Sequence, residues 1–242
     1  LPLTCAQIVN LACQTAKVPA WTSQAGQLLN AALAEFCTTY DLEVNRQTYT
    51  FVFNPGLGSG PYPLPSNWLR ANDDDVFFTI QGVAYVMISI QLPEYDALVQ
   101  QAGLNAYPAY YAIDNSPIQT QQPPNMYVWP PPAGAYPVTA RYFCQQPDIT
   151  TPETSATIPW FPATTVLLRR VAGELMLMAN DDRAEAFLSS DENRNPEGYG
   201  VLLRKYLRNQ DANKAPNQVK LDKRLFKTGR WSALPNTKYV GW

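Results

Sequence analysis

The sequence predicts an α+β protein: a helical bundle built from the N- and C-terminal segments, an inserted antiparallel β domain, and an extended C-terminal tail. Three observations carry this. Of 22 prolines, 17 fall between Pro55 and Pro162, where a locked φ and a missing backbone donor argue against long helices. The flanks are nearly free of proline and carry apolar residues at helical spacing. From Asn209 to Trp242 no helical or strand repeat would bury a face, so this segment needs a partner to hold it.

The first helix opens on Thr4 and Gln7, spaced as a capping box. Cys5, Ile8, Val9 and Ala12 follow on one face, and Pro19 breaks the chain. A second helix starts near Thr22 or Ser23, both good N-caps. Its stripe is Leu29, Ala32, Leu33 and Phe36, extended by Tyr40.

The middle reads as strands. Gln47 to Phe53 alternates strictly, with Tyr49, Phe51 and Phe53 on one face. Val76 to Ile80 and Val83 to Ile90 are β-branched and aromatic. A short helix begins at Pro93 and ends before Gly103. Tyr107 to Ile113 is a further strand. Met126 to Trp129 and Val138 to Cys144 form two more, joined by a rigid proline loop longer than a two-residue turn. Such local connections point to antiparallel pairing.

Helix returns after Pro162, which suits a first helical position. Val166 to Asn180 carries Leu167, Leu168, Val171, Leu175 and Met178. Asp181 to Ser190 continues it or forms a short helix. Pro196 starts another, with Tyr199, Leu202, Leu203, Tyr206 and Leu207 on one face. Each stripe needs a partner, so the terminal helices are expected to pack together. The expected division is residues 1–44 and 158–208 for the helical domain, 45–157 for the β domain, and 209–242 for the tail.

Composition narrows the function. There is no histidine, which removes the commonest general base and transition-metal ligand. Cys5, Cys13, Cys37 and Cys144 form no C-x-x-C pair and read as buried, reduced thiols. No apolar run approaches the ~20 residues of a membrane helix. The chain opens on Leu1, not Met, and its first residues show no basic-then-apolar leader pattern. No cofactor motif is present. Gly56 to Gly60 follows a strand, but Pro61, Pro63 and Pro65 stand where a phosphate loop needs a helix N-terminus. It reads as a flexible loop. Asp73-Asp74-Asp75 lacks the spacing of a calcium loop and reads as a solvated turn. Glu94 and Asp96 sit two apart on a helix and face away from each other, which argues against a glycosidase pair. Arg169-Arg170 and Arg204-Lys205 read as wet helix faces. Trp68, Tyr85, Tyr110, Tyr111 and Trp129 have the chemistry to stack on sugars, but in strands such residues more often pack.

The near-neutral total charge hides an asymmetry. Residues 209–242 carry seven Lys/Arg against two Asp, a net of +5. Residues 1–208 carry eleven against eighteen acids, a net of −7. The tail's candidate partner-binding residues are Lys220, Lys223, Arg224, Phe226, Lys227, Arg230, Trp231, Tyr239 and Trp242. Basic and aromatic side chains together suit an acidic protein surface or nucleic acid, and the two tryptophans favour protein. Extended, the tail spans up to about 110 Å.

The order of segments resembles the head-to-tail adaptor proteins of short-tailed bacteriophages. The stretches that carry it are LTCAQIVNLACQ and LLNAALAEF near the N-terminus, then YPLPSNWLRANDDDVFFTI from Tyr62. MYVWPPPAGAYPVTARYF from Met126, IPWFPATTVLLRRVAGELMLMANDDRAEAF from Ile158 and LLRKYLRNQ from Leu202 complete it. The resemblance implies a structural, non-enzymatic virion protein of the head–tail junction, made in the host cytoplasm. It implies a ring, usually of twelve copies, docked under the portal protein and followed by a downstream tail or nozzle protein. Genomic DNA would pass through the lumen without specific binding, and an acidic body would let it slide. No membrane is implied. Two rival readings rest on the residues: a carbohydrate-binding tail module using the aromatic β domain, and a hydrolase using two carboxylates.

Overall fold

A computed structural model describes residues 2–100, 105–116 and 122–213, without the side chains of residues 72–74 and 211–213. Residues Leu1–Arg204 form one compact unit and Lys205–Trp242 a second. The fold is mixed α+β. Its described helices are α1 (Cys5–Thr15), α2 (Thr22–Thr39), α3 (Leu92–Val99), α4 (Thr164–Met178), α5 (Ala184–Leu188) and α6 (Tyr199–Asn213). Its strands are β1 (Arg46–Val52), β2 (Tyr62–Pro63), β3 (Trp68–Ile80), β4 (Val83–Val86), β5 (Ile88–Ser89), β6 (Tyr110–Asp114), β7 (Asn125–Trp129) and β8 (Pro137–Cys144).

The helical ends follow the apolar stripes. The capping box of α1 is complete: Thr4 Oγ1 accepts from Gln7 N, and Gln7 Oε1 accepts from Thr4 N. The start of α2 differs from expectation. Trp21 is its N-cap and supplies no side-chain bond, so Thr22 and Ser23 lie inside the first turn. Helices α1 and α2 pack on each other and on α4. Ile8, Val9, Leu29, Leu167, Val171 and Leu175 are all wholly buried between them. Phe36 seals this layer, with its ring 4.7 Å from that of Phe161 and stacked at 6.2 Å on Tyr199. The segment after β8 is fastened to the same helices. Asn30 exchanges two hydrogen bonds with the Ile149 backbone, and Cys5 N donates to Thr157 O. Helix α6 runs on to Asn213, so residues 209–213 are helical and not the start of an extended tail. Their polar sequence, Asn-Gln-Asp-Ala-Asn, has no apolar stripe to announce it.

Two four-stranded sheets share one core. Their orders are β1-β8-β3-β4 and β2-β7-β6-β5. Phe53, Val76, Phe78, Val138 and Ala140 from one sheet meet Tyr62, Tyr111, Met126 and Val128 from the other. Both departures from the expected antiparallel domain concern connections. Strand β5 pairs with β6 in parallel, so the second sheet is mixed. Strands β7 and β8 are not partners either. The proline loop between them carries the chain from one sheet to the other. Gly56 to Gly60 is tied down, with Tyr62 Oη 3.1 Å from Asn54 O and 3.0 Å from Gly58 O. It is therefore a pinned turn, where a flexible loop was expected. Close packing also explains one pair of glycines. A Cβ on Gly198 would lie 2.3 Å from Ser189 O, and one on Gly200 2.7 Å from Ser190 Cβ. Only glycine lets the start of α6 approach the residues after α5 this closely.

Candidate interaction surface

All nine tail residues singled out above, Lys220 through Trp242, lie outside the described residues. The surfaces that can be built from side chains belong to the body.

Strand β3 divides its sheet into two chemically distinct halves. In the first half the two charges whose side chains are described, Arg70 and Asp75, are used internally. The three consecutive aspartates lie within β3 and do not form a free turn. The register against β8 slips between Ala71 and Val76, so the strand bulges there. Asp75 accepts from Arg46 at 2.5 Å and from Arg141 at 3.0 Å, bridging three strands. Arg70 pairs with Asp41 at 2.5 Å, donates to Thr38 O and covers the Phe143 ring. The helical layer behaves in the same way. Arg170 pairs with Glu35 and Glu174 at 3.1 Å each and lies over Tyr199. Arg169 pairs with Glu197 at 2.5 Å and covers Phe187. These two arginines are therefore committed to intramolecular contacts rather than forming a simple wet face.

The second half is different. From Val76 to Pro93 there is not one charged side chain over 18 residues. The strand turns at Gln81-Gly82, both at positive φ (49° and 84°), the conformation of a type I′ hairpin. It then forms β4, the edge of the first sheet, and β5, the edge of the second. Every residue of β4 is exposed. Val83, Tyr85, Val86 and Ile88 show 54, 46, 55 and 59 % of their surface to solvent, and nearby Tyr107 shows 60 %. Tyr85 stacks on Phe78 at 5.5 Å, and Tyr107 faces the same ring at 6.5 Å. Soluble chains normally blunt an edge strand with lysine, proline or a bulge. This one has none of these. In the sequence these β-branched runs read only as strands, which hides the surface. The signal was the length of the uncharged run.

The other sequence candidates fall elsewhere. Trp68 and Tyr111 are core residues, Trp68 stacking on Tyr142 at 4.5 Å. Glu94 closes the capping box of α3 by accepting from Gln91 N at 3.1 Å. Among the described residues no group of three His, Cys, Asp or Glu side chains converges as a metal site. The four thiols are buried and unpaired. Burial pushes Cys5, Cys13 and Cys144 above the ordinary thiol value, so they stay protonated. Burial also raises the Tyr199 phenol, with Glu35 adding to the effect. No described helix is long and apolar enough to cross a membrane.

Among the described residues, the uncharged edge formed by β4 and β5 is the surface that stands out. Comparison with known families supplies the class of the protein. The model of the SU10 adaptor protein family matches residues 3–220. The chain belongs to this family and is a structural adaptor protein of a bacteriophage. The family is one of structural proteins and not of enzymes. No curated protein matches the chain.

Proposed function

We propose that the chain is the subunit of an adaptor ring that joins the portal to the tail and surrounds the path of the exiting DNA. The observation that carries this is the adaptor family match over residues 3–220. In this reading the terminal helices form one bundle, the two sheets are an insertion between its halves, and the segment beyond α6 is an arm. The arm grips the portal through Lys220, Lys223, Arg224, Phe226, Lys227, Arg230, Trp231, Tyr239 and Trp242. Its basic and aromatic content suits an acidic, pocketed protein surface. The ring contains about twelve copies, as the resemblance to short-tailed phage adaptors implies. A downstream tail protein binds its far side. The net charge of −7 on residues 1–208 supports a lumen that repels DNA, so the genome slides without sticking.

Co-sedimentation with a purified portal ring tests the proposal. The full chain and a truncation ending at Asn213, which keeps α6 whole, are compared. The full chain is expected to pellet with the portal and the truncation to stay largely in solution while remaining folded. If the truncation pellets equally well, the arm is not the anchor. If neither pellets, the adaptor-to-portal reading fails, and glycan binding by the aromatic β region is tested next.

A further inference from the structure

The two outer strands of the first sheet, β1 and β4, fit one another. We propose that β4 of one copy pairs antiparallel with β1 of the next, so that the sheet runs continuously from subunit to subunit. The inference rests on the ring reading above and supplies the contact that would build it.

Direction comes first. The order is β1-β8-β3-β4, with every neighbour antiparallel. Four alternating strands leave the two edges pointing in opposite directions. A second copy placed beside the first by simple rotation therefore brings its β1 antiparallel to β4. The contact is head-to-tail, and such contacts close into a ring when the rotation between copies closes.

Backbone phase comes second. Antiparallel neighbours alternate between residues bonded to the partner and residues whose N–H and C=O point away. Met87 N donates to Val76 O, and Phe53 N donates to Tyr136 O. Counting back along each register, β4 directs the backbone groups of Ala84 and Val86 outward, and β1 those of Thr48, Thr50 and Val52. These five residues all lie on the outer face of the sheet. Tyr85 lies on the inner face beside Phe78, as Tyr49 and Phe51 do on β1. Pairing the outward groups thus keeps both faces in register. Thr48, Thr50 and Val52 stay on the outer face, and Tyr85 meets the Tyr49–Phe51 stack on the inner one. An odd number of alternating strands would have made the same placement a parallel pair, with a different hydrogen-bond pattern.

Charge comes third. The exposed side of β4 and β5 is neutral, and so is the chain from Gln47 to Leu69. A neutral, β-branched strand is the matching occupant. The lysine-rich arm would have to bury ammonium groups against Val83 and Val86 without partners. The seam is short. Four paired residues fall well below the roughly 800 Å² per partner of a stable interface, so it sets register within a wider ring contact. Closure of the ring then multiplies a contact that is weak by itself.

The test uses the full chain assembled beside the portal ring. Ala84→Cys is combined in turn with Thr48→Cys, Thr50→Cys and Val52→Cys, then oxidised and run on a non-reducing gel. The four native thiols are buried, which keeps the background low. One of the three combinations is expected to give a ladder of linked subunits, and no single variant is. Val86→Lys on its own is expected to reduce ring assembly at least tenfold while the chain keeps its circular dichroism spectrum. If the wild type forms a ring but no cysteine pair gives a ladder and Val86→Lys assembles normally, the seam is overturned and the adaptor reading stays intact. A wild-type chain that never assembles beside the portal overturns the ring and the seam together.

Discussion

The two halves of β3 occupy the same strand and the same sheet, yet they solve opposite problems. Around Asp75 the strand bulges and gathers Arg46 and Arg141 from two other strands. Its described charges, Arg70 and Asp75, are matched within the chain. Beyond Val76 the strand is regular, uncharged and continued by an edge that is exposed on both faces. Its backbone and apolar side chains lack what the first half has already found. The contrast teaches that an assembly surface need not be charged or concave. It is recognised by what is missing from it among the described residues: charges, blunting residues and a covering strand.

The strongest way to break the comparison is to remove the core that both halves share. Phe78 is 2 % exposed and touches Phe53, Tyr85, Tyr107 and Tyr136. Phe78→Ala is expected to destabilise the chain by about 3–5 kcal/mol in denaturant unfolding. A loss under about 1 kcal/mol would mean the two sheets do not share one core.

Asp75→Ala sharpens the contrast on the charged side. It leaves two arginines without their common partner. Asp75 retains some contact with water, with a side-chain exposure of 16 %. The expected cost, discounted for solvent screening, is about 1–2 kcal/mol, falling in high salt. A salt-independent loss would point to packing at the bulge and not to charge.

On the uncharged side the expectation reverses. Tyr85→Ala removes the stacking partner of Phe78 from an exposed site, and should change the stability of the free chain by less than about 1 kcal/mol. Assembly should suffer instead, as read by sedimentation with the portal. A variant that loses stability but still assembles would place Tyr85 in the core and off the interface.

The smallest effect lies far from both halves. Arg183 holds the Asp181 carboxyl at about 2, below its ordinary 3.8, through side-chain and backbone hydrogen bonds. A lowered folded value means that the contribution is present above pH 3.8 and fades as pH falls toward 2. The gap in unfolding midpoint between the wild type and Asp181→Asn should therefore close over that window. A gap that is constant from neutral pH to pH 2 would contradict it.

Much of the fold was legible because the period of the apolar pattern reports the element directly. The stripe through Leu29, Leu33 and Phe36 gave α2, and the alternation of Tyr49, Phe51 and Phe53 gave β1. Three features were not legible. The link from β7 to β8 reads as a local connection, but the proline loop passes between sheets, and no local pattern encodes sheet membership. The ion pairs of Asp75 join residues 29 and 66 positions apart, which spacing cannot reveal. Helix α6 outlasts its apolar stripe, so its end at Asn213 had no sequence signal. The candidate site was legible only in kind. Charge and aromatic content single out the tail, but the uncharged run from Val76 to Pro93 gains its meaning only once it lies at two sheet edges.

Hydrogen–deuterium exchange of the full chain, free and assembled beside the portal ring, tests most directly whether the chain leaves its two sheet edges for neighbouring copies. The account predicts slowed exchange in peptides covering residues 46–53 and 83–89, alongside any slowing in the tail, with the buried strand β8 already slow in both states. Slowing confined to the tail, with both edges exchanging as fast in the assembly as in the free chain, would contradict it.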